Sequence, residues 1–446
     1  MNIFGTDGVR GRANDGFITP FCAVKLAAAI VNYYANSGNE TVHSKFSVVI
    51  GKDTRLSGYM LEQALTAGFV AAGADVFLLG PIPTPAVALM TKSLRADLGV
   101  VVSASHNPYY DNGIKLFNSN GLKISRIDEL AISEIFQDSQ QLATPDKMGK
   151  AKRLDDISGR YIEFAKSSFP KNLGLFSMKI VVDSANGASY KIAPQVFWEL
   201  GAQVISIGAD PDGLNINKDC GALDTKLLQK SVVDNQANIG IALDGDADRL
   251  IVVDETGSVL DGDYVIAAIA VDWLERDLLS GKNVVLTTMS NMALENFLLS
   301  RGINVVRSDV GDKLVVEKMI EIGANLGGEK SGHIIPFDFS TTGDGIIAAL
   351  QVLAYIKRKN VVVSSIKTLF TPYPQEIMNI HSHININNEA VQNALNLIKH
   401  DILGRNSRVI SRHSGTENLT RIMLESDDKF SLMKAVDFIK NSPIFS

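Results

Sequence analysis

The sequence is poor in cysteine, has no block of basic residues and contains no long apolar run, and each shortage removes a class of protein. Cys22 and Cys220 are the only cysteines among 446 residues. Two are too few for a disulfide framework, and they lack the spacing of metal ligands. Lysine and arginine total 43 against 49 aspartates and glutamates, a net charge of −6. That balance excludes nucleic acid and anionic membrane as the main partner, so an anionic ligand must be held by a few placed cations and N–H groups. No apolar run approaches the roughly 20 residues of a membrane span. Met1 to Asp7 lack the basic and apolar regions of a signal peptide, and the expected location is the cytoplasm. No short-period repeat is visible.

What is present is a well-supplied core. Apolar residues make up 46% of the chain, and the length suggests roughly three or four domains. Phe21 to Tyr34 reads as a helix, Phe46 to Ile50 as a strand, Ser57 to about Ala72 as a helix and Ala74 to Leu79 as a strand; a Pro-rich turn follows from Pro81 to Pro85. This alternation predicts right-handed βαβ units on mostly parallel sheets. The pattern restarts after a polar segment around Gln137 to Arg153 and again near Tyr264. Past about Pro372 the runs become short and closely spaced, which predicts a small α+β domain with an antiparallel sheet. The expected divisions are 1–150, 151–255, 256–368 and 369–446.

Within this frame, Val101 to Pro108 draws the first attention. Pro108 cannot extend the apolar strand that precedes it, so the chain turns just after Ser105. A serine at the carboxyl end of such a strand lies where open α/β sheets bind ligands. His106, Asn107 and Lys115 supply polar groups nearby.

Asp244, Asp246 and Asp248 follow a second buried strand at alternate positions. Three carboxylates in one site disfavour each other's charge unless a cation joins them, and hard oxygen ligands suit Mg²⁺. An EF-hand is ruled out because Arg249 stands where the loop needs glycine. A solvated acidic turn is the plain alternative, and a phosphatase-type aspartate nucleophile stays open.

Three further loops carry candidates. Arg412, Ser414, Gly415 and Thr416, with Arg421 beyond, can present consecutive N–H groups and two guanidiniums to a phosphate. Gly327 to His333 is Gly-rich; Glu329 and Ser331 suit sugar hydroxyls, and His333 offers an acid or base. Phe4 to Gly11 is a third such loop, with Arg10 as its cation.

Together these segments resemble the α-D-phosphohexomutase family, in the family's order and over nearly the whole chain. The match rests on Ser103 to Pro108, Asp244 to Arg249, Gly328 to His333 and Arg412 to Glu417. Phe4 to Gly11, Tyr109 to Lys115, Gly213 to Asn217 and Cys220-Gly221 carry a finer match to the bacterial branch that acts on amino sugars. The resemblance implies an α/β fold: three consecutive α/β domains with mixed, mostly parallel sheets plus a smaller C-terminal α+β domain, around a central cleft. It implies that Ser105 carries a phosphoryl group and that Asp244, Asp246 and Asp248 bind one Mg²⁺ together with that phosphate. Arg10, Lys115 and Arg249 would surround the transferring group with His333 among the catalytic residues. Glu329 and Ser331 would read the sugar, and Arg412, Ser414, Gly415, Thr416 and Arg421 would hold the distal phosphate.

The implied reaction interconverts glucosamine 6-phosphate and glucosamine 1-phosphate, with a hexose 1,6-bisphosphate as intermediate or activator. The implied partner is a small-molecule sugar phosphate, and a homodimer is left open. A glucose or mannose phosphate as substrate is the alternative within the family; a sugar-phosphate sensor without turnover is the alternative outside it. Three residues depart from the usual pattern: Lys330 in place of glutamine, Asn418 in place of proline and Lys52 where arginine is frequent. Lys330 bears on the substrate, and the expectation is that it faces away from the sugar while Glu329 and Ser331 face in.

Overall fold

The computed structural model describes residues 2–5, 7–36, 45–380, 384–413 and 419–445. Runs of β-branched residues buried on both faces lie parallel at the centre of the first sheet, as such runs must when helices cover both sides. Its strands are β1 (Val9–Arg12), β2 (Ser47–Lys52), β3 (Asp75–Pro81), β4 (Leu98–Val102), β5 (Asp111–Asn118) and β6 (Ala151–Arg153), in the order β1-β5-β4-β2-β3-β6. β2 pairs parallel with β3 and β4, while β5 returns antiparallel along β4 and β1 runs antiparallel beside β5. The exposed strand β6 pairs parallel with β3 and carries the sheet to Arg153, past the division expected at 150. The Pro-rich stretch expected as a turn leads directly into a helix, Thr84–Ser93. Pro83 caps it and Pro85 lies in its first turn, where the missing N–H costs nothing.

The second sheet has β7 (Lys179–Asp183), β8 (Gln203–Ile207), β9 (Ile239–Leu243), β10 (Leu250–Asp254) and β11 (Val259–Leu260), ordered β11-β10-β9-β7-β8. β11 extends it beyond the division expected at 255 by pairing with β10. The third has β12 (Asn283–Thr287), β13 (Asn304–Ser308), β14 (Leu326–Gly328) and β15 (Ile334–Pro336), ordered β13-β12-β14-β15. The fourth is wholly antiparallel: β16 (Gln375–Ile380), β17 (Ser407–His413) and β18 (Thr420–Ser426), ordered β16-β18-β17. Three α/β domains with mixed sheets are thus followed by a smaller α+β domain. In this last domain a helix spans Glu389–Leu397, and a wider turn continues it through Ile398–Ile402.

One plan recurs. In each of the first three sheets a parallel strand continues into an antiparallel hairpin, and the hairpin turn is a motif loop. Ser105 lies between β4 and β5, Asp244 to Arg249 between β9 and β10, and Glu329 to His333 between β14 and β15. The fourth sheet places Arg412 and Arg421 on its hairpin β17–β18.

Two helices hold these hairpins in register. Gly262–Glu275 and Gly345–Lys359 pack on one another and are almost wholly buried. They belong to one continuous core running from Val49 in the first domain to Phe370. The fourth domain has a separate core around Ile398, Leu424 and Val436. It is seated on the third by polar contacts, with Arg408 donating to the Ser290 carbonyl (2.7 Å) and the Met292 N–H to Glu425 (3.0 Å). No helix among the described residues is long and apolar enough to cross a membrane.

Candidate active site

Ser105 sits just past the end of β4 in left-handed backbone, φ +51°, a region that residues other than glycine seldom occupy. Its Oγ donates to Asp244 Oδ2 at 2.6 Å and lies 3.3 Å from His106 Nδ1. Burial, then the positive charges of Arg249 and Arg10, depress the His106 imidazole to about 4, so that ring is neutral beside the serine. Gly245 permits the approach of the second domain, because a Cβ there would stand 2.6 Å from the Ser105 carbonyl oxygen.

The three aspartates form one buried cluster whose oxygens lie within 4.8 Å of one another. Burial, then repulsion from Asp248 and Asp246, raises Asp244 to about 8. Burial opposes ionisation of Asp248 as well, yet Lys115, His333 and Arg249 hold it well below the usual carboxylate range. Asp246 Oδ1 and Asp248 Oδ1 are buried without a hydrogen-bond partner among the described residues. Two orphaned carboxylate oxygens in a group of three hard donors fit a divalent cation such as Mg²⁺.

Around the cluster lysines, an arginine and carboxylates alternate, and the His333 imidazole completes the circuit. Lys115 Nζ reaches Asp246 Oδ2 at 2.8 Å, Asp248 Oδ2 at 3.1 Å and Asp7 Oδ2 at 3.6 Å. Asp7 also pairs with Arg10 and Lys123, and Lys123 with Asp312 of the third domain. Asp312 Oδ2 is 3.5 Å from His333 Nε2, and His333 Nδ1 is 3.7 Å from Asp248 Oδ1. Burial opposes a charge on Lys115, but Asp246, Asp248 and Asp7 outweigh it and keep the ammonium protonated. Asp7, Lys123 and Asp312 are site residues that the sequence reading missed. They stand in unrelated segments, and only the fold makes them neighbours.

His333 and Arg249 are bridged backbone to backbone, and the Leu250 N–H donates to the Gly332 carbonyl at 2.9 Å. The loop from Gly327 to His333 is therefore bonded directly to the loop from Asp244 to Arg249. His333 Nε2 accepts the Gly343 N–H at 3.1 Å, and burial of the ring is outweighed by Asp248, Asp312 and Glu329, which raise its pKa. Glu329 accepts from the Gly311 N–H (3.1 Å), and the Ser331 hydroxyl lies 3.5 Å from its other oxygen. Lys330 Nζ donates to Gln375 Oε1 at 2.9 Å, at the start of the fourth domain, and its charge offsets that of Asp261 and Asp263. Lys52 is bound in a buried ion pair with Glu62 (2.8 Å).

Arg412 and Arg421 stand opposite one another across β17 and β18. Burial, then the Arg421 charge, depresses the Arg412 guanidinium, and Glu329 partly offsets this. Like charges directly opposite one another in a sheet repel, and a bound anion would lower that repulsion. Ser414, Gly415, Thr416 and Asn418 lie outside the described residues.

A second missed group surrounds the serine loop itself. Asp53 and Arg55, just beyond β2, and Asn217 of the second domain all bond to it. The signal was the position of Gly51 to Arg55 at the carboxyl end of a parallel strand, where α/β sheets gather functional residues.

A serine aimed at a buried carboxylate cluster, with a cation ring beside it and an arginine pair on a separate sheet, defines a multidomain α/β protein equipped for phosphoryl groups. The chain matches the family models for phosphoglucomutase/phosphomannomutase alpha/beta/alpha domains I, II and III over residues 1–143, 159–257 and 261–373. The phosphoglucosamine mutase of Brucella ovis is 50% identical over 441 residues, covering 98% of this chain and 96% of that protein. That of Rhizobium meliloti is 49% identical over 442 residues, covering 98% and 97%. A phosphoglucomutase/phosphomannomutase family protein of Burkholderia thailandensis shares the fold with a TM-score of 0.84 at 23% identity, covering 98% and 96%. The chain belongs to the phosphoglucomutase/phosphomannomutase family, the α-D-phosphohexomutases, and is most like the phosphoglucosamine mutases.

Proposed function

We propose that this chain is a phosphohexomutase that interconverts glucosamine 6-phosphate and glucosamine 1-phosphate in the cytoplasm, through phosphorylated Ser105 and glucosamine 1,6-bisphosphate. The observation that carries the reaction type is the 2.6 Å contact of the Ser105 hydroxyl with Asp244 inside a buried group of three aspartates. The amino sugar is supported by relatives about half identical over 98% of the chain, whose names specify phosphoglucosamine.

In the first half-reaction the bond between phosphorus and Ser105 Oγ breaks as one forms to a sugar hydroxyl. Net, the hydroxyl proton passes to Ser105 Oγ. Mg²⁺ held by Asp244, Asp246 and Asp248 with the serine phosphate would supply charge stabilisation for the transferring group. Lys115, kept protonated by its carboxylates, donates to phosphoryl oxygens, and Arg249 and Arg10 add positive charge on either side. His333, bonded to the metal loop's strand and facing Asp248, keeps the sugar loop in register with the transferring group. Glu329 and Ser331 take sugar hydroxyls, and Arg412 and Arg421, with Ser414, Gly415 and Thr416, hold the phosphate that is not reacting. The bisphosphate then turns over, and its other phosphate returns to the serine. One arginine pair serves both orientations because a phosphate monoester has the same shape at either end.

Two measurements test this. Intact-mass analysis finds phosphate on Ser105. Steady-state comparison of glucosamine, glucose and mannose phosphates gives the highest kcat/KM for glucosamine. A tenfold preference for glucose or mannose phosphate, about 1.4 kcal/mol in the transition state, assigns the chain to the other reading within its family.

A further inference from the structure

Arg55 is completely buried. All five of its guanidinium N–H groups are engaged. Nε donates to Asp53 Oδ2 at 2.9 Å, Nη2 to the Ser105 carbonyl (2.9 Å) and the Asn107 carbonyl (2.9 Å), and Nη1 to the Asn107 (3.0 Å) and Pro108 (2.7 Å) carbonyls. Asn217 Nδ2, from the second domain, donates to the same Ser105 carbonyl (2.9 Å) and to Asn107 (3.1 Å).

The other side of Ser105 is held as firmly. Its N–H donates to Ser103 Oγ at 2.8 Å, and the Ser103 hydroxyl donates to Asp53 Oδ2 at 2.6 Å, the oxygen that Arg55 Nε also uses. Both backbone groups of Ser105 therefore end on one buried Asp53–Arg55 pair. A left-handed serine is costly, and such backbone persists only where the surroundings over-determine it. Here three carbonyls and one N–H supply that determination, and the hydroxyl alone is left to reach Asp244.

We infer that Arg55, assisted by Asn217, is the positioning residue for the phosphoryl-carrying serine. It holds the loop's carbonyls so that Ser105 Oγ stays aimed at the aspartate cluster while its phosphoryl group leaves and returns. The inference rests on the reading of Ser105 as the carrier. Lysine cannot take the place of Arg55, because one ammonium offers three donors and no planar fork to span three carbonyls.

The test compares Arg55→Lys and Asn217→Gly with the parent. Glycine suits the left-handed backbone of Asn217 (φ +57°), so this second variant keeps the fold and removes only the side-chain donor. Each protein is first phosphorylated with glucosamine 1,6-bisphosphate, and occupancy of Ser105 is read by intact mass. Then the single-turnover transfer from the phosphoserine to saturating glucosamine 1-phosphate, the steady-state kcat and KM, and the Tm are measured. The expected result is a KM within about threefold of the parent, with kcat and single-turnover rate down about 100-fold in Arg55→Lys and about tenfold in Asn217→Gly. A structural role would lower the Tm and leave the rates per folded molecule unchanged. Rates within threefold of the parent in the folded variants overturn the inference, and if Arg55→Lys does not fold, Asn217→Gly decides by the same criterion. A parent that turns over with no phosphate ever on Ser105 refutes the carrier reading and this inference with it; an active phosphorylated parent with unimpaired variants refutes the inference alone.

Discussion

The hydroxyl of Ser105 donates to Asp244 across 139 residues of sequence and from one domain to the next, at 2.6 Å. Packing thus brings a buried hydroxyl and a buried carboxylate from two domains into direct contact. The distance makes the serine the first residue to test. Ser105→Ala should lower mutase turnover by roughly 10³-fold or more, about 4 kcal/mol of transition-state stabilisation. The Tm should stay within a few degrees, since the hydroxyl supports no core. Coupled assay of product and a thermal melt on the same sample check both halves, and wild-type activity in the variant refutes the covalent scheme.

The aspartate cluster predicts dependence on a divalent cation. EDTA should abolish turnover and excess Mg²⁺ restore it. Titration calorimetry should find one Mg²⁺ site, lost or much weakened in Asp246→Asn, because that change removes charge from an atom set built of three hard donors. Full activity in chelator contradicts the assignment.

Arg421 faces Arg412 across the terminal hairpin. If one arginine pair serves both phosphates, Arg421→Ala should raise KM for glucosamine 1-phosphate and glucosamine 6-phosphate alike, by roughly 10- to 100-fold for the loss of about 1.5–3 kcal/mol in a charged hydrogen bond. A rise for one substrate only shows that the pair does not alternate.

Lys330 contacts Gln375 and lies by Asp261 and Asp263. Since its ammonium is engaged there, Lys330→Gln should leave kcat/KM for glucosamine phosphate within about threefold and keep the order of preferred sugars. A changed order places Lys330 at the sugar.

Asp344 caps the helix Gly345–Lys359 through the Ile346 and Ile347 N–H groups and accepts the Tyr161 hydroxyl at 2.8 Å. Burial pushes its carboxyl up to about 6, above the roughly 3.9 of an unfolded aspartate. The folded state thus binds this proton more tightly than the unfolded one. The resulting stability is complete below about pH 4 and is lost as pH rises through about 6. Asp344→Asn keeps the cap and removes the titration. Relative to it, the parent's Tm should fall between pH 4 and 6 and hold a constant offset above 7, worth up to about 3 kcal/mol. Parallel Tm curves over that range refute the assignment.

The chain's own order of residues already determined its fold class and the identity of the motif loops. β2, β4, β9 and β12 each carry a buried apolar run, and Asp53 to Arg55, Ser103 to Ser105 and Asp244 to Asp248 stand just after the first three, so the position and content of those loops are local properties. The pairing of β5 with β4 was not local. Asp111–Asn118 has a polar start and no clean alternation, and it is a strand because β1 and β4 flank it. β1, β6 and β15 are four residues or fewer and are likewise made by their neighbours.

What only the tertiary structure decided is how the loops are held. Lys123 and Asp312 are 189 residues apart, Arg55 and Ser105 are 50 apart, and Asn217 reaches Ser105 over 112. None of these pairs has a periodicity or spacing that a sequence displays, because each contact is closed by the packing of whole sheets around one core. Sequence states which groups are available; the energy of burying them leaves each charge and carbonyl only the partners that the fold brings within 3 Å.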